Sequence, residues 1–370
     1  MMIREEIKEH LIENREIILN GGVNCIPSPF TRFRQYFPGV RKKFSYVVTG
    51  ATKSSKTQFT VFLFVINSVF YALRHPDQVK ITILYFPLEE TKEDIMLRIY
   101  AYIISHLTDG RIIISPEDLE SVDERKPLSQ EVLDIMDSED FIKIADKFEE
   151  CINFYEDRNA TGIYKKIKTY VDAHGKSLFE DKEVTYQDEL GNTKTETIKK
   201  FIKYIPDNPN EYIIPIVDHV GLLQEERGLT LKANIEKLSE YFVILRNKYS
   251  ISPVIVQQQN TETTNLEAFK ANKIRPTKDG LKDSKRTGED CTMLFGLTNP
   301  YSFELSQYLG YNIDTLQDNF RVWEIVLARK GRANGLCPML FNGAINQYTE
   351  LPLPTSPEIN KVYNYVKSLK

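Results

Sequence analysis

Eight consecutive residues, Gly50-Ala51-Thr52-Lys53-Ser54-Ser55-Lys56-Thr57, have the types and spacing of a phosphate-binding loop. Such a loop joins an apolar strand to a helix. Its backbone N–H groups and the helix N-terminus cradle phosphate oxygens. In that arrangement Lys56 reaches the β- and γ-phosphates of a nucleotide, and the Thr57 hydroxyl binds Mg²⁺. One residue departs from the usual pattern: Ser55 stands where glycine normally precedes the lysine. A Cβ there costs about 1 kcal/mol if the turn needs a positive φ. The bland alternative is an ordinary Ser/Lys-rich connection between strand and helix.

Two acidic positions complement the loop. Ile213-Ile214-Pro215-Ile216-Val217-Asp218 is an apolar strand ending in a carboxylate, the pattern that holds Mg²⁺ beside a phosphate loop. Pro215 is awkward in a central strand, and strands also end in Asp for turn reasons. Tyr85-Phe86-Pro87-Leu88-Glu89-Glu90 ends a second strand. A carboxylate at the C-terminal end of a neighbouring parallel strand points into the same crevice, where Glu89 can polarise an attacking water. The competing role is a helix N-terminal acid favoured by the dipole, which suits Glu90 better.

The elements that must position these groups alternate. Strands are expected at Phe44–Thr49, Lys80–Phe86, Tyr212–Val217, Pro253–Gln257, Thr292–Leu297 and Val322–Ala328. Helices are expected at 3–20, 56–73, 92–106 and 232–249. This is an α/β pattern with a mainly parallel central sheet flanked by helices. Asn342-Gly343 marks an antiparallel C-terminal edge hairpin. The Pro/Phe-rich stretch from Cys25 to Val40 reads as an ordered loop over the core. Residues 107–175 read as helical and charged, and 182–200 as an exposed hairpin. The chain divides into an amphipathic N-terminal helix or linker (1–24), a core (25–355, with an insert at about 107–211) and a helical tail (356–370).

Composition excludes several classes. Net charge is −4 over 370 residues, so any nucleic-acid site must be a local basic patch. Cys25, Cys151, Cys291 and Cys337 form no CxxC pair, and the five histidines do not cluster; no disulfide framework or zinc site is expected. The N-terminus lacks the apolar core of a signal peptide. The most apolar stretch, Phe59 to Leu73, is short for a membrane span and carries Asn67 and Ser68. No membrane partner is expected, and the expected location is the cytoplasm of a bacterium or phage-infected host.

At this point the order of landmarks resembles one family, the DnaB-type (superfamily 4) hexameric replicative DNA helicases with a RecA-like P-loop NTPase motor. The resemblance runs from about residue 20 to residue 353. PLEETKEDIMLRI resembles the family segment whose Glu is the catalytic base; Glu89 takes that place, and Arg98 matches a later basic position. IIPIVDHVGLL resembles the strand that usually ends Asp-Tyr; here it is Asp218-His219. SPVIVQQQN resembles the strand ending in a phosphate-sensing Gln, which implies Gln259, with Gln257 and Gln258 leaving the register open by a residue. RPTKDGLKDSKRTGEDCTMLFGL matches the next passage, with Asp290 at its acid. EIVLARKGRANGLCPMLFNGAINQYTEL resembles the closing strand, finger and hairpin. The family's finger residues act on the neighbouring subunit's ATP; the match implies Arg329 and Arg332 here, with Lys330 as a further candidate.

The resemblance implies ATP and Mg²⁺ as cofactors, a homohexameric ring, single-stranded DNA as partner, and primase or a loader as further partners. It also implies two DNA-facing loops. The first offers Arg227 and Lys232. The second, Asn260 to Glu289, carries Lys270, Lys273, Arg275, Lys278, Lys282, Lys285 and Arg286, a basic patch able to track a phosphate backbone. A solvated charged loop is the other reading. The apolar spacing of Ile3, Ile7 and Leu11 gives the N-terminal helix one face to bury, on a neighbouring subunit or on its own core. Departures from the family are the absence of its N-terminal helical domain and the enlarged segment 107–211. Two other functions stay open: a RecA-like recombination or ring ATPase that does not unwind DNA, and an ATP-binding accessory or loader with little turnover.

Overall fold

The computed structural model describes residues 3–187, 191–260 and 274–368. A nine-stranded sheet organises them: β1 (Tyr46–Gly50), β2 (Lys80–Pro87), β3 (Ile152–Phe154), β4 (Glu211–Asp218), β5 (Val254–Gln258), β6 (Met293–Thr298), β7 (Phe320–Ala328), β8 (Leu336–Asn342) and β9 (Gln347–Glu350). Across the sheet the order is β9-β8-β7-β6-β1-β5-β4-β2-β3. From β6 to β3 all neighbours are parallel. The closing strands β7, β8 and β9 are antiparallel. This is the mainly parallel α/β architecture with an antiparallel C-terminal hairpin that the strand–helix alternation implies.

The parallel strands are buried on both faces, which is why they read as continuous apolar runs. Tyr46, Val48, Ile83, Tyr85, Ile214 and Ile216 face one layer, covered by helices Lys56–Arg74, Lys92–Leu107 and Glu139–Cys151. Val47, Leu84, Phe86, Ile213, Val217 and Ile255 face the other, under helices Ala160–Ala173 and Leu231–Tyr249. Pro215 is tolerated because the ladder between β4 and β5 begins only at Ile216. The Cys25–Val40 stretch does cover the core: Phe30, Phe33 and Phe37 lie 5.4, 4.6 and 5.2 Å from the Trp323 ring.

The helix after β1 is longer than its most apolar stretch suggests. It runs Lys56–Arg74, long and apolar enough to cross a membrane, with a π-helical middle at Val61–Ile66. Its side chains Phe59, Leu63, Phe64 and Val65 are instead fully buried in the core. The segment 107–175 also contains β3, a three-residue edge strand too short to leave a periodic signal. The exposed hairpin is longer at both ends than expected, pairing Gly175–Gln187 with Thr193–Pro206. Its base is fastened by Phe201 against Tyr249 and by the Tyr204 hydroxyl, which donates to the Val171 and His174 carbonyls.

At the N-terminus, helix Ile3–Leu19 does not bury its apolar face on its own core: Ile3, Ile7 and Leu11 are 75%, 54% and 61% exposed. At the C-terminus, helix Ile359–Ser368 does pack inward, placing Ile359 and Val366 with Tyr311, Leu316 and Phe320. All four cysteines are free thiols.

Candidate functional site

Strands β1, β2, β4 and β5 are parallel, so their C-terminal ends open on one edge of the sheet, the place where open α/β sheets bind ligands. A cavity of about 1190 Å³ lies there, lined by Lys53, Lys56, Thr57, Glu89, Asp218 and His219, among others. Local hydrogen bonds place each group. The Leu88 N–H donates to the Asp218 carbonyl (2.7 Å), tying the ends of β2 and β4 together. Thr91 then caps the next helix in a reciprocal capping box with Asp94, which fixes where Glu89 and Glu90 leave the strand.

The loop after β1 turns tightly. A Cβ at Gly50 would fall 2.5 Å from the Leu297 carbonyl, so glycine is required. Lys53 and Ser55 both take left-handed backbone angles (φ 62° each), so the strain anticipated at Ser55 is present. Lys56 is buried and donates to the Ala51 carbonyl (3.0 Å). Burial lowers its pKa to about 8, opposed by Asp218 and Glu89. The Thr57 hydroxyl donates to Asp218 Oδ1 (3.2 Å), and the Tyr85 hydroxyl to Oδ2 (3.1 Å). Burial raises the Asp218 carboxyl to about 7, against those two hydrogen bonds and with help from the Glu90 and Glu89 charges.

His219 stands between Asp218 and Glu89. The Gly221 N–H donates to its Nδ1 (3.2 Å), which leaves Nε2 as the proton-bearing nitrogen in the neutral ring. That Nε2 lies 3.4 Å from Glu89 Oε2. Burial lowers the His219 pKa, with Glu89 opposing. Glu90 is spoken for by a different partner, the Arg98 guanidinium, at 2.7 and 3.3 Å.

The lining suits a polyanion with a divalent cation. Two lysines and the opening amides of a helix supply positive potential. The Thr57 and Asp218 oxygens are a hard pair of the kind Mg²⁺ takes together with phosphate oxygens. The Ser54 hydroxyl is buried with no partner among the described residues. No cluster of three His, Cys, Asp or Glu among the described residues offers a metal site of another type.

Three expectations need correction. Gln259 is not on the cavity wall. Its carboxamide is buried, donating to Thr49 Oγ1 and the Thr277 carbonyl (3.0 Å each) and accepting from the Thr277 N–H (3.3 Å). Strand alternation instead turns Gln258 to the cavity. Arg329 is not a free finger: Nε donates to the Cys291 carbonyl (2.9 Å) and Nη2 to the Glu289 carbonyl. Arg275 is not free for a ligand either, because it forms a bidentate pair with the buried Glu324.

The remaining residues fall in three places. Arg332 and Lys330 are exposed; Arg332 reaches only Gln35 (3.5 Å), and the Lys330 ammonium lies over the Phe44 ring. They follow β7 at the end where the Arg329 N–H meets Thr292, the sheet end opposite the cavity. In the second loop, Lys278 and Lys285 make surface pairs with Glu289 and Asp279 (3.8 and 3.7 Å), while Arg286 pairs with Asp290 (2.9 Å). Lys282 and Arg227 are exposed with no ion pair among the described residues. Lys270 and Lys273 lie outside the described residues.

One cavity residue had no sequence signal. Arg321, from β7, is buried against the loop, and its Nε donates to Ser55 Oγ (2.9 Å). The two are 266 positions apart, so no local motif could join them.

The sheet order, the loop after β1 and the strand-end acids together define a RecA-like α/β fold. The comparisons give it a narrower likeness. A solved structure of a DnaB-like helicase ATPase domain matches with a TM-score of 0.61 and 15% identity, covering 94% of this chain and 99% of that one. A second, titled "The Structure Of A DnaB-Like Replicative Helicase And Its Interactions With Primase", matches with a TM-score of 0.61 and 14% identity over 93% of this chain and 66% of that longer one. The fold is that of a DnaB-type helicase ATPase domain. No family model and no curated protein matches by sequence.

Proposed function

We propose that this chain is the motor of an ATP-dependent DNA helicase, a homohexameric ring that translocates on single-stranded DNA during replication. The observation that carries the reading is the meeting of Lys56, Thr57, Asp218 and Glu89 on one cavity, in a fold shared with helicase ATPase domains. Lys56 and the loop amides bind the triphosphate. Thr57 and Asp218 hold Mg²⁺, which neutralises phosphate charge when bound. Glu89 orients and deprotonates the attacking water, its carboxylate steadied by the Nε2 proton of His219. Gln258 is the wall residue suited to sense the terminal phosphate.

Ring assembly follows from geometry. Lys330 and Arg332 lie across the sheet from their own cavity, so the phosphates they can reach are another copy's. The exposed face of Ile3, Ile7 and Leu11 is the second element that one copy offers another. A groove beside Phe62, Phe70 and Tyr102 is a seat of matching character. Single-stranded DNA then contacts Arg227 and Lys282, while primase or a loader binds outside the motor. The test is ATP hydrolysis with and without single-stranded DNA, with Lys56→Ala as control, followed by unwinding of a forked duplex. Hydrolysis stimulated by DNA and lost in the variant supports a DNA motor. Hydrolysis indifferent to DNA, or no strand separation, removes the helicase reading.

A further inference from the structure

The nucleotide-binding reading leaves a difficulty inside the loop. Ser55 occupies a left-handed turn (φ 62°, ψ 40°) that a glycine would adopt without strain. Three contacts converge on this one residue. Arg321 Nε donates to Ser55 Oγ (2.9 Å). That hydroxyl passes its own proton to the Ser54 carbonyl (2.6 Å). The Tyr348 hydroxyl, from β9, donates to the Ser55 carbonyl (3.1 Å). Both donors from outside the loop come from the antiparallel half of the sheet, so the loop is held from the strands that close the fold.

Arg321 is built to hold still. Its side chain is 3% exposed. Nη1 donates to the Asp318 and Phe320 carbonyls (2.6 and 3.0 Å), and Nη2 to Asp318 Oδ1 (3.2 Å). The guanidinium lies over the Phe341 ring, 4.9 Å from its centroid. With Nε on Ser55 and both terminal nitrogens engaged, the fork is spent on protein. Its orientation is that of a clamp on the loop and not of a free phosphate ligand.

We infer that Arg321 and Tyr348 lock Ser55 in the turn that glycine would otherwise supply, so that nucleotide affinity in this chain depends on a residue of β7 with no motif of its own. Arg321 is a positioning residue: it acts on the nucleotide through the loop. The lock rests on the nucleotide-binding reading above and deepens it.

The test is a double-mutant cycle on MgADP binding, followed by titration calorimetry on the full chain. In the native background, Arg321→Gln is expected to weaken binding about tenfold, the scale of one buried charge-assisted hydrogen bond. Whatever Ser55→Gly does alone, the factor caused by Arg321→Gln within it is expected to shrink below about threefold, since glycine takes the turn unaided. Arg321→Lys, which keeps the charge, and Tyr348→Phe, which removes one hydroxyl, check the same coupling in variants that disturb folding less. Melting curves report whether each variant is folded. An equal loss from Arg321→Gln in both backgrounds would make Arg321 a direct phosphate ligand and overturn the lock. No loss in any Arg321 variant overturns it too. Failure of the reading beneath looks different: native protein that does not bind MgADP, or binds it no better than Lys56→Ala, removes the nucleotide site and the lock with it.

Discussion

The two ends of the central sheet are finished to different degrees. At the C-terminal edge of β1, β2, β4 and β5, each group that faces the cavity is held by a named neighbour: Lys56 by Ala51, Asp218 by Thr57 and Tyr85, His219 by Gly221 and Glu89, Ser55 by Arg321. At the opposite end, Arg329 is pinned to two carbonyls, while Lys330 and Arg332 stand in solvent with one weak contact each. One chain completes the side that binds. It leaves incomplete the side that would stabilise charge in a reaction. An exposed arginine loses rotamer freedom when it is ordered, so leaving it loose makes sense only if ordering comes from something else. The difference points to a second copy as that agent.

Variants can break or sharpen this contrast. The largest effect is expected from Lys56→Ala, which should weaken MgATP binding at least about a hundredfold and abolish hydrolysis; equilibrium titration checks it. Next is Arg332→Ala, expected to lower hydrolysis about a thousandfold with binding intact. Mixing it with Lys56→Ala subunits should restore part of the rate if the two ends serve each other across an interface. An inert mixture would confine the finger to its own chain. Glu89→Gln should bind nucleotide normally and hydrolyse it about a hundredfold more slowly in single-turnover assays. Normal turnover would move the base elsewhere.

Smaller effects probe the bound charge and the DNA loops. The Asp218 carboxyl is raised from its ordinary value near 3.8 to about 7. A raised folded-state pKa favours the protonated form, so this group's stabilisation is full below about pH 4 and is lost as pH rises toward 7. Without ligand, Asp218→Asn should therefore melt higher relative to the native chain at pH 8 than at pH 4, by a few degrees. A constant difference across that range would contradict the burial of the charge. Smallest is Lys282→Glu, expected to weaken single-stranded DNA binding several-fold and to flatten its salt dependence by about one unit of slope. Arg275→Ala should instead destabilise the fold by ~1–3 kcal/mol, because it strands the buried Glu324.

The parts of the site legible in the sequence are those whose signal is local. Lys56 and Thr57 follow an apolar strand and open a helix; Asp218 and Glu89 end apolar runs of strand length. Each needs only about ten residues of context. Gln258 and Gln259 share their type with a third neighbour, so only the pleat of β5 against β1 decides which one faces the cavity. Arg275 and Arg329 look like free cations in a basic stretch, yet Glu324 and the Cys291 carbonyl, far along the chain, claim them. Arg321 is the extreme case, a pairing set wholly by where β7 lies. The same logic separates the elements: long periodic strands and helices are readable, while the three residues of β3 are not.

The only tryptophan of the chain, Trp323, lies two residues beyond Arg321 and is fully buried. Its ring is 5.1 Å from Phe59, in the first turn of the helix that leaves the phosphate loop, and 5.0 Å from Phe295 in β6. The molecule thus carries its own optical reporter at the junction of the loop helix, the Phe-rich cover and the closing strands. Intrinsic fluorescence follows the collapse of this junction during refolding and any shift of the loop helix on ligand addition, with no dye and no engineered site.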